Sequence, residues 1–314
     1  MMDSVLNVKN LSKTFGKKQV VSKVNLNVRA GEVMGFLGPN GAGKTTCIKM
    51  ILGFLMPDEG EIIISGYDTT KNYEDAMALV GGIVENPDMY KNFTGRLNLE
   101  LYARTHENVT KERIDEVVKM VGLENRIDEK VKKYSLGMKQ RLGLAEAILH
   151  HPKLLLLDEP TNGLDPAGIK ELRDILKTLA HEEGVAVLVS SHQLAEMQLM
   201  CDRVTIISAG TVLCEKTIEE MENYTTGEPI FKFRVDDNEK AAQAISEYYN
   251  EKGASVTVET ADDGFMPVKT PEEDVPAIVA ALVGNNVGIF EIKKESNTLE
   301  DAFIAITGGG NTIV

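Results

Sequence analysis

The chain reads as an α/β protein built on a mostly parallel sheet flanked by helices. Three observations predict this. An apolar stretch, Val33 to Leu37, runs into Gly38-Pro39-Asn40-Gly41-Ala42-Gly43-Lys44-Thr45 and then into a helical stretch, Thr46 to Leu52. A second apolar run, Leu154 to Leu157, is too short for a helix and ends on Asp158-Glu159. Around both, short apolar strands alternate with helical patterns, the order that gives parallel strands covered on both faces.

Taken in order, the first 28 residues alternate as strands do: Leu6 and Val8, then Val20, Val24, Leu26 and Val28, with a Gly-Lys-Lys turn at 16–18 between them. They predict a small antiparallel sheet beside the main one. Pro57-Asp58-Glu59-Gly60 is a turn, followed by strands at 61–64 and 79–84. Residues 94–122 and 135–149 read as helical, with Thr94 and Thr110 as candidate N-caps. Helix 167–182, strand 185–189, helix 193–200 and strands 203–208 and 211–214 complete this part.

Thr-Thr-Gly-Glu-Pro at 225–229 breaks the pattern, which places a boundary there and divides the chain into domains 1–223 and 224–314. The second domain reads strand 230–235, helix 239–252, strands 255–259 and 264–269, helix 272–283, strand 287–293 and helix 298–306. That β-α-β-β-α-β order predicts a small α+β, ferredoxin-like domain.

At 314 residues the chain is long enough for two domains. Its net charge of −14 argues against bulk nucleic-acid binding, which needs clustered cations. The acids are concentrated toward the end: from Thr225 onward there are 16 acidic and 7 basic residues. Cys47, Cys201 and Cys214 are odd in number and far apart, so neither a disulfide framework nor a zinc site is expected, and a reducing compartment fits. Cys47 lies two residues past Thr45 and reads first as a small buried side chain. No window reaches about 18 apolar residues, and the start carries no basic-then-apolar signal. The expectation is a protein soluble by itself, which leaves docking on a membrane protein open.

The glycine loop has the form G-x-x-x-x-G-K-[ST], with the strand before it and the helix after it that the motif needs. Glycines let the backbone turn its N–H groups toward phosphates, and the helix N-terminus adds about half a positive charge. Lys44 is expected on the β- and γ-phosphates, and Thr45 on Mg²⁺. Asp158 and Glu159 emerge at the C-terminal end of a buried strand, where ligands bind in such sheets. Asp158 is expected to hold Mg²⁺, through water, and Glu159 to polarise the attacking water as general base. These pieces do not choose between kinases, GTPases, helicases and transport ATPases.

Three further pieces do. Tyr134-Ser135-Leu136-Gly137-Met138-Lys139-Gln140-Arg141 resembles the signature sequence of ATP-binding cassette (ABC) proteins. Asn162-Gly163-Leu164-Asp165-Pro166 resembles their D-loop, and His192, after a buried strand, their switch histidine. The resemblance covers about residues 5–215 and implies an ABC cassette with a helical subdomain at about 86–150. It implies ATP and Mg²⁺ as ligands and two cassettes paired head to tail. Residues 38–46, including Thr46, would meet one face of ATP, and Ser135 and Gly137 of a second copy the other. Asp165 falls in the same nucleotide-binding set, His192 would touch the γ-phosphate, and Phe15 would stack on adenine.

Leu136 stands where the signature's first glycine is usual, and Met138 where its glutamine is. Glu85 appears in place of the family's Mg²⁺-touching glutamine, a second acid beside the metal. The signature, the Glu85-Asn86-Pro87 segment and Thr298-Leu299-Glu300-Asp301-Ala302-Phe303 are similar to the bacitracin- and lantibiotic-type subgroup of multidrug export ATPases. The resemblance therefore implies a homodimeric ATPase subunit of an exporter of antibiotic peptides or drugs. It would be cytoplasmic, held on the inner face of the cell membrane by separate permease subunits that dock on residues 85–105. Two alternatives carry different signals. A carbohydrate- or lipid-export ATPase would have a β-sandwich tail. A non-transport ABC ATPase would have two cassettes or a long heptad insertion, and only 113 residues separate Thr45 from Asp158.

Overall fold

Two sheets organise the computed structural model up to Ile218. It describes residues 4–85, 87–106, 109–222, 229–252 and 264–294, with 302, 303 and 306. β1 (Ser4–Phe15) and β2 (Lys18–Arg29) form a hairpin whose alternating residues are buried. β3 (Val33–Leu37) leaves that sheet, and α1 (Lys44–Ile51) follows it. β4 (Glu59–Ile64) and β5 (Tyr67–Asp68) return to the hairpin, giving an antiparallel sheet ordered β2-β1-β4-β5. The expected flanking sheet is present, and a short α2 (Tyr73–Met77) that the sequence reading did not separate leads to β6 (Val80–Ile83).

Three helices follow: α3 (Gly95–Ala103), α4 (Lys111–Met120) and α5 (Leu136–Ile148). The stretch expected as helical from 94 to 122 is thus two helices. Thr94 Oγ1 accepts the Leu97 N–H at 3.1 Å, and Thr110 Oγ1 accepts the Arg113 N–H at 3.2 Å. The second cap starts a new helix, because an N-cap residue has extended rather than helical dihedrals.

The main sheet is completed by β7 (Leu154–Asp158), α6 (Pro166–His181), β8 (Ala186–Ser191), α7 (Leu194–Met200), β9 (Arg203–Ser208) and β10 (Thr211–Thr217). Its order is β10-β9-β3-β8-β7-β6, parallel throughout except for β10 against β9. Every residue of β3, β7 and β8 is buried, which is why these strands read as continuous apolar runs instead of alternating ones. Phe36, Met34, Ile48, Leu154, Leu156 and Leu188 belong to the core cluster that fixes α1 beneath the sheet. Cys47 is 1% exposed in it, and burial pushes its thiol up to about 12.

The chain separates into two compact units, Met1–Ile218 and Glu219–Ala305. The boundary expected at 223/224 lies at the edge of residues 223–228, outside the described residues. In the second unit, α8 (Ile218–Glu222) precedes β11 (Ile230–Val235), α9 (Asn238–Glu251), β12 (Met266–Lys269), α10 (Val275–Gly284) and β13 (Ile289–Lys294). β11 lies between β12 and β13, antiparallel to both, as the ferredoxin-like arrangement requires. The helix expected from 272 begins at Val275, after a 3₁₀ turn at Glu272–Asp274. Pro276 lies in its first turn, where a missing N–H costs nothing. The expected strand 255–259 lies outside the described residues, as does most of helix 298–306. Among the described residues no helix is long and apolar enough to cross a membrane.

Candidate functional site

The glycine loop is held at both ends by backbone hydrogen bonds. Gly38 donates to Ser191 O at 3.3 Å at the end of β3, and Gly210 donates to Ala42 O at 3.0 Å. Two glycines are there for steric reasons. A Cβ on Gly38 would run into the carbonyl oxygen of Ile207. Gly43 has φ +107°, and a Cβ there would lie 3.0 Å from Val20 O. Gly43 is also the N-cap of α1, a helix with no side-chain cap and no acid in its first turn. By contrast α3, α4, α5, α6 and α9 are each capped by their own Thr, Ser or Asp. The amino end of α1 therefore keeps its N–H groups and partial positive charge for an external anion. Asn40, Gly41, Ala42, Gly43, Lys44, Thr45, Thr46 and Glu159 line a cleft of about 200 Å³, with Val20 as an apolar wall.

Lys44 is 5% exposed. Its ammonium donates to Gly38 O at 2.7 Å and Pro39 O at 3.4 Å, and pairs with Glu159 Oε1 at 3.2 Å. The other carboxylate oxygen of Glu159, Oε2, is 2.8 Å from Nδ1 of His192. A carboxylate can only accept, so Nδ1 is the protonated ring nitrogen. One carboxylate thus joins the glycine loop, the end of β7 and the residue following β8. The sequence placed Lys44, Glu159 and His192 in one site from motif order, and the structure brings them together.

Asp158 is buried, and its Oδ1 accepts from Ser190 Oγ at 2.6 Å. Ser190 Oγ in turn accepts the Glu159 N–H at 3.0 Å. Glu159 has φ +50°, a left-handed conformation uncommon outside glycine, and Ser190 holds it there. The sequence reading did not single out Ser190, because no local spacing marks a contact between adjacent strands 32 residues apart. A serine near the end of a run of otherwise apolar strand residues was the available signal.

The remaining candidates lie apart from the glycine-loop cleft. Ser135, Leu136, Gly137, Gly163, Leu164 and Asp165 are among the residues lining a second cleft of about 340 Å³. Ser135 Oγ caps α5 by accepting the Met138 N–H, and Asp165 Oδ1 caps α6 by accepting the Gly168 N–H at 2.8 Å. Asp165, expected with the nucleotide set, thus accompanies the signature residues. Leu136, the departure from the usual glycine, occupies space a side chain at Gly163 would need: its Cδ2 would be 2.7 Å from a Cβ there. Phe15 ends β1 with 49% exposure and Lys13 Nζ 5.8 Å from its ring centre. Glu85 is not brought to the loop cleft. It has φ +64°, is exposed, and pairs with Lys49 at 2.9 Å. Its carboxylate pairs with the lysine on α1, and it is not among the residues that line the loop cleft. Cys47 is buried in the core cluster and is not among the residues lining the loop cleft.

The sequence pattern of the ABC transporter family matches residues 21–162. An ABC transporter ATP-binding protein of Bacillus subtilis, YhcH, is 46% identical over 98% of this chain and 97% of its own length. The bacitracin transport ATP-binding protein BcrA of Bacillus licheniformis is 38% identical over 98% of this chain and 99% of its own. Among solved structures, an ATP-binding subunit of an ABC transporter matches with a TM-score of 0.63 at 31% identity, covering 70% of this chain and 92% of that one. A dimeric bacterial ABC transporter cassette matches with a TM-score of 0.62 at 27% identity, over 68% of this chain and 98% of that one. With the loop, the strand-end acids and the histidine converging as described, the chain belongs to the ATP-binding proteins of the ABC transporter family.

Proposed function

We propose that this chain is the ATP-hydrolysing subunit of an exporter that carries antibiotic peptides or drugs through a separate permease. The observation that carries the reading is the Glu159 carboxylate held between Lys44 and His192 at the end of β7. Likeness to bacitracin and lantibiotic transport ATP-binding proteins supports the cargo class.

In this reading the α1 amino end and loop N–H groups take the phosphates, and Lys44 turns to the β- and γ-oxygens. Glu159 accepts a proton from water as its oxygen attacks the γ-phosphorus and the bond to the β-phosphate oxygen breaks, giving ADP and inorganic phosphate. His192 holds Glu159 Oε2 through Nδ1 and faces the γ-phosphate with its other ring edge. The Thr45 hydroxyl and Asp158 carboxylate are hard oxygen donors suited to Mg²⁺. Among the described residues no group of three or more His, Cys, Asp or Glu could hold a metal alone, which fits a cation completed by phosphate oxygens. Mg²⁺ supplies neutralisation of the phosphate charge when bound. Phe15 stacks on adenine. Ser135 and Gly137, with Asp165 beside them, meet the nucleotide bound to a second copy, since the two clefts share no lining residue within one chain. A permease docking on residues 85–105 places the subunit on the cytoplasmic face of the membrane.

The test is Glu159→Gln. It keeps ATP binding, lowers turnover by at least about 10²-fold, and accumulates a dimer in ATP. A variant that remains monomeric at saturating ATP overturns the paired-cassette arrangement, and one that turns over normally overturns the role of Glu159.

A further inference from the structure

The last strand of the second unit is an open edge. β13 (Ile289–Lys294) pairs with β11 on one side, and among the described residues no strand lies on its other side. From Phe290 onward every residue of it is exposed, Phe290 to 65%. Both ends are pinned. Gly288, just before the strand, donates to Asp236 Oδ1 at 2.8 Å and accepts the Asp236 N–H at 3.0 Å. Lys294, its last residue, pairs with Glu272 at 2.9 Å. The edge is therefore a fixed row of main-chain donors and acceptors, the template on which a further strand adds.

Register gives the two faces of β13 different characters. Glu291 stands opposite Arg234 and Lys293 opposite Lys232, all on one face. Ile292 stands opposite Phe233, on the face that carries the buried core. Glu291 is reached by Arg234 at 3.3 Å and stays 44% exposed. Lys293 Nζ lies 3.9 Å from the centre of the Phe265 ring, and among the described residues it pairs with no acid. One exposed acid and one exposed cation thus flank a central isoleucine along the open edge.

We propose that β13 is where a second copy of this chain adds, antiparallel, so that one sheet runs through both second units. Two identical strands related by a twofold axis pair about a single residue, because only then do facing side chains lie on matching faces. Charge selects that residue. Centred on Glu291 or on Lys293, the pair sets like charges opposite each other, which destabilises a sheet. Centred on Ile292, it sets Glu291 against Lys293 of the other copy twice and Ile292 against Ile292 once. The charges match about that centre alone. Lysines on an open edge deter indiscriminate strand addition, and here the same lysine is what the second copy's Glu291 meets. A single strand edge buries little, so the contact is weak alone. Its effect is to keep two cassettes at high effective concentration. That consequence rests on the paired-cassette reading: copies parted by hydrolysis remain joined for the next ATP.

The test uses the full chain without nucleotide, so that ATP contributes nothing to pairing. Sedimentation velocity over a concentration series is expected to show a reversible dimer. Glu291→Lys and Lys293→Glu each make both cross-strand pairs repulsive, and each alone should weaken dimerisation by at least about tenfold. Mixed in equal amounts, the two variants meet with opposite charges in both pairs, and their heterodimer should regain near wild-type affinity. Misfolding cannot be repaired by mixing, so restoration separates a broken contact from a broken domain. A wild-type chain that stays monomeric, single variants that dimerise normally, or a mixture no better than its components overturns the proposal. So does a defect of the variants confined to permease-stimulated turnover, which would give the edge to another protein. Failure of the Glu159→Gln test would leave this nucleotide-free association untouched, so the two readings fail separately.

Discussion

Ser190 donates its hydroxyl to Oδ1 of Asp158 across 2.6 Å, from one buried strand to its neighbour. Ser190 Oγ also receives the N–H of Glu159, so a single hydroxyl fixes both Asp158, the proposed metal-side acid, and the backbone of Glu159, the proposed general base. Ser190→Ala removes that reference point and leaves a buried carboxylate short of a donor. We expect turnover to fall by about 10–100-fold, the usual effect of losing an outer-shell partner, with ATP affinity nearly unchanged. Steady-state ATPase rates beside nucleotide titration check this. Weakened ATP binding with normal turnover at saturation would show that Ser190 acts on the loop instead.

Lys44→Ala removes the cation shared by Gly38 O, Pro39 O and Glu159. Nucleotide affinity should drop by at least about tenfold, as for loss of one charged hydrogen bond of 1.5–3 kcal/mol, and hydrolysis should be lost. Fluorescent-nucleotide titration reads the first effect. Unchanged affinity would contradict the assignment of the loop.

Gly38→Ala should destabilise the cassette by roughly 1–3 kcal/mol, the cost of forcing a methyl group into a packed position. Its Cβ meets the Ile207 carbonyl, and backbone cannot step aside as a side-chain end can. Denaturant midpoints measure it. Gly41→Ala offers a contrast, since φ +77° strains it while its Cβ meets open space.

Stability should depend on pH through two residues on one face of α5 and its end. Burial raises Glu146 from 4.5 to about 7, so its favourable contribution is present below pH 4.5 and lost as pH rises toward 7. Burial also lowers His150 from 6.5 to about 4, and His106, stacked on it at 4.3 Å, works in the same direction. That contribution is present above pH 6.5 and lost as pH falls toward 4. Glu146→Gln should therefore raise the Tm at pH 8 by about 3 °C and leave it unchanged at pH 4. Thermal melts across pH check both signs.

Cys47 should resist alkylation in the folded protein whether or not ATP is present. It is 1% exposed, and a thiol pushed to about 12 offers almost no thiolate near neutrality. Modification should appear only with denaturant. Rapid labelling that ATP slows would place the thiol near the nucleotide instead.

Local pattern carried the nucleotide-loop side of this molecule into view. Gly38 to Thr45 is contiguous, and Leu154 to Asp158 advertises burial on both faces, so both could be read without a structure. Thr94 and Thr110 were legible as caps, yet the break between α3 and α4 was not, because the intervening residues have no strong helix breaker. Ser190 was invisible for a different reason: its importance comes from strand register, which pairs Asp158 with it, and register is a property of the assembled sheet. Glu85 is the converse case. Motif order sets it where the family's glutamine usually stands, and what its carboxylate meets, Lys49 in the second turn of α1, could not be read from the sequence.

Where two copies pair as proposed, the separation of the loop cleft from the signature cleft has a genetic consequence. Mix a copy carrying Lys44→Ala with one carrying Ser135→Ala, and each mixed pair concentrates both lesions at one seam while its twin is assembled entirely from undamaged parts. Two inactive alleles would thereby regenerate up to one working seam per heteromeric pair, something no blend of Lys44→Ala with Glu159→Gln could achieve.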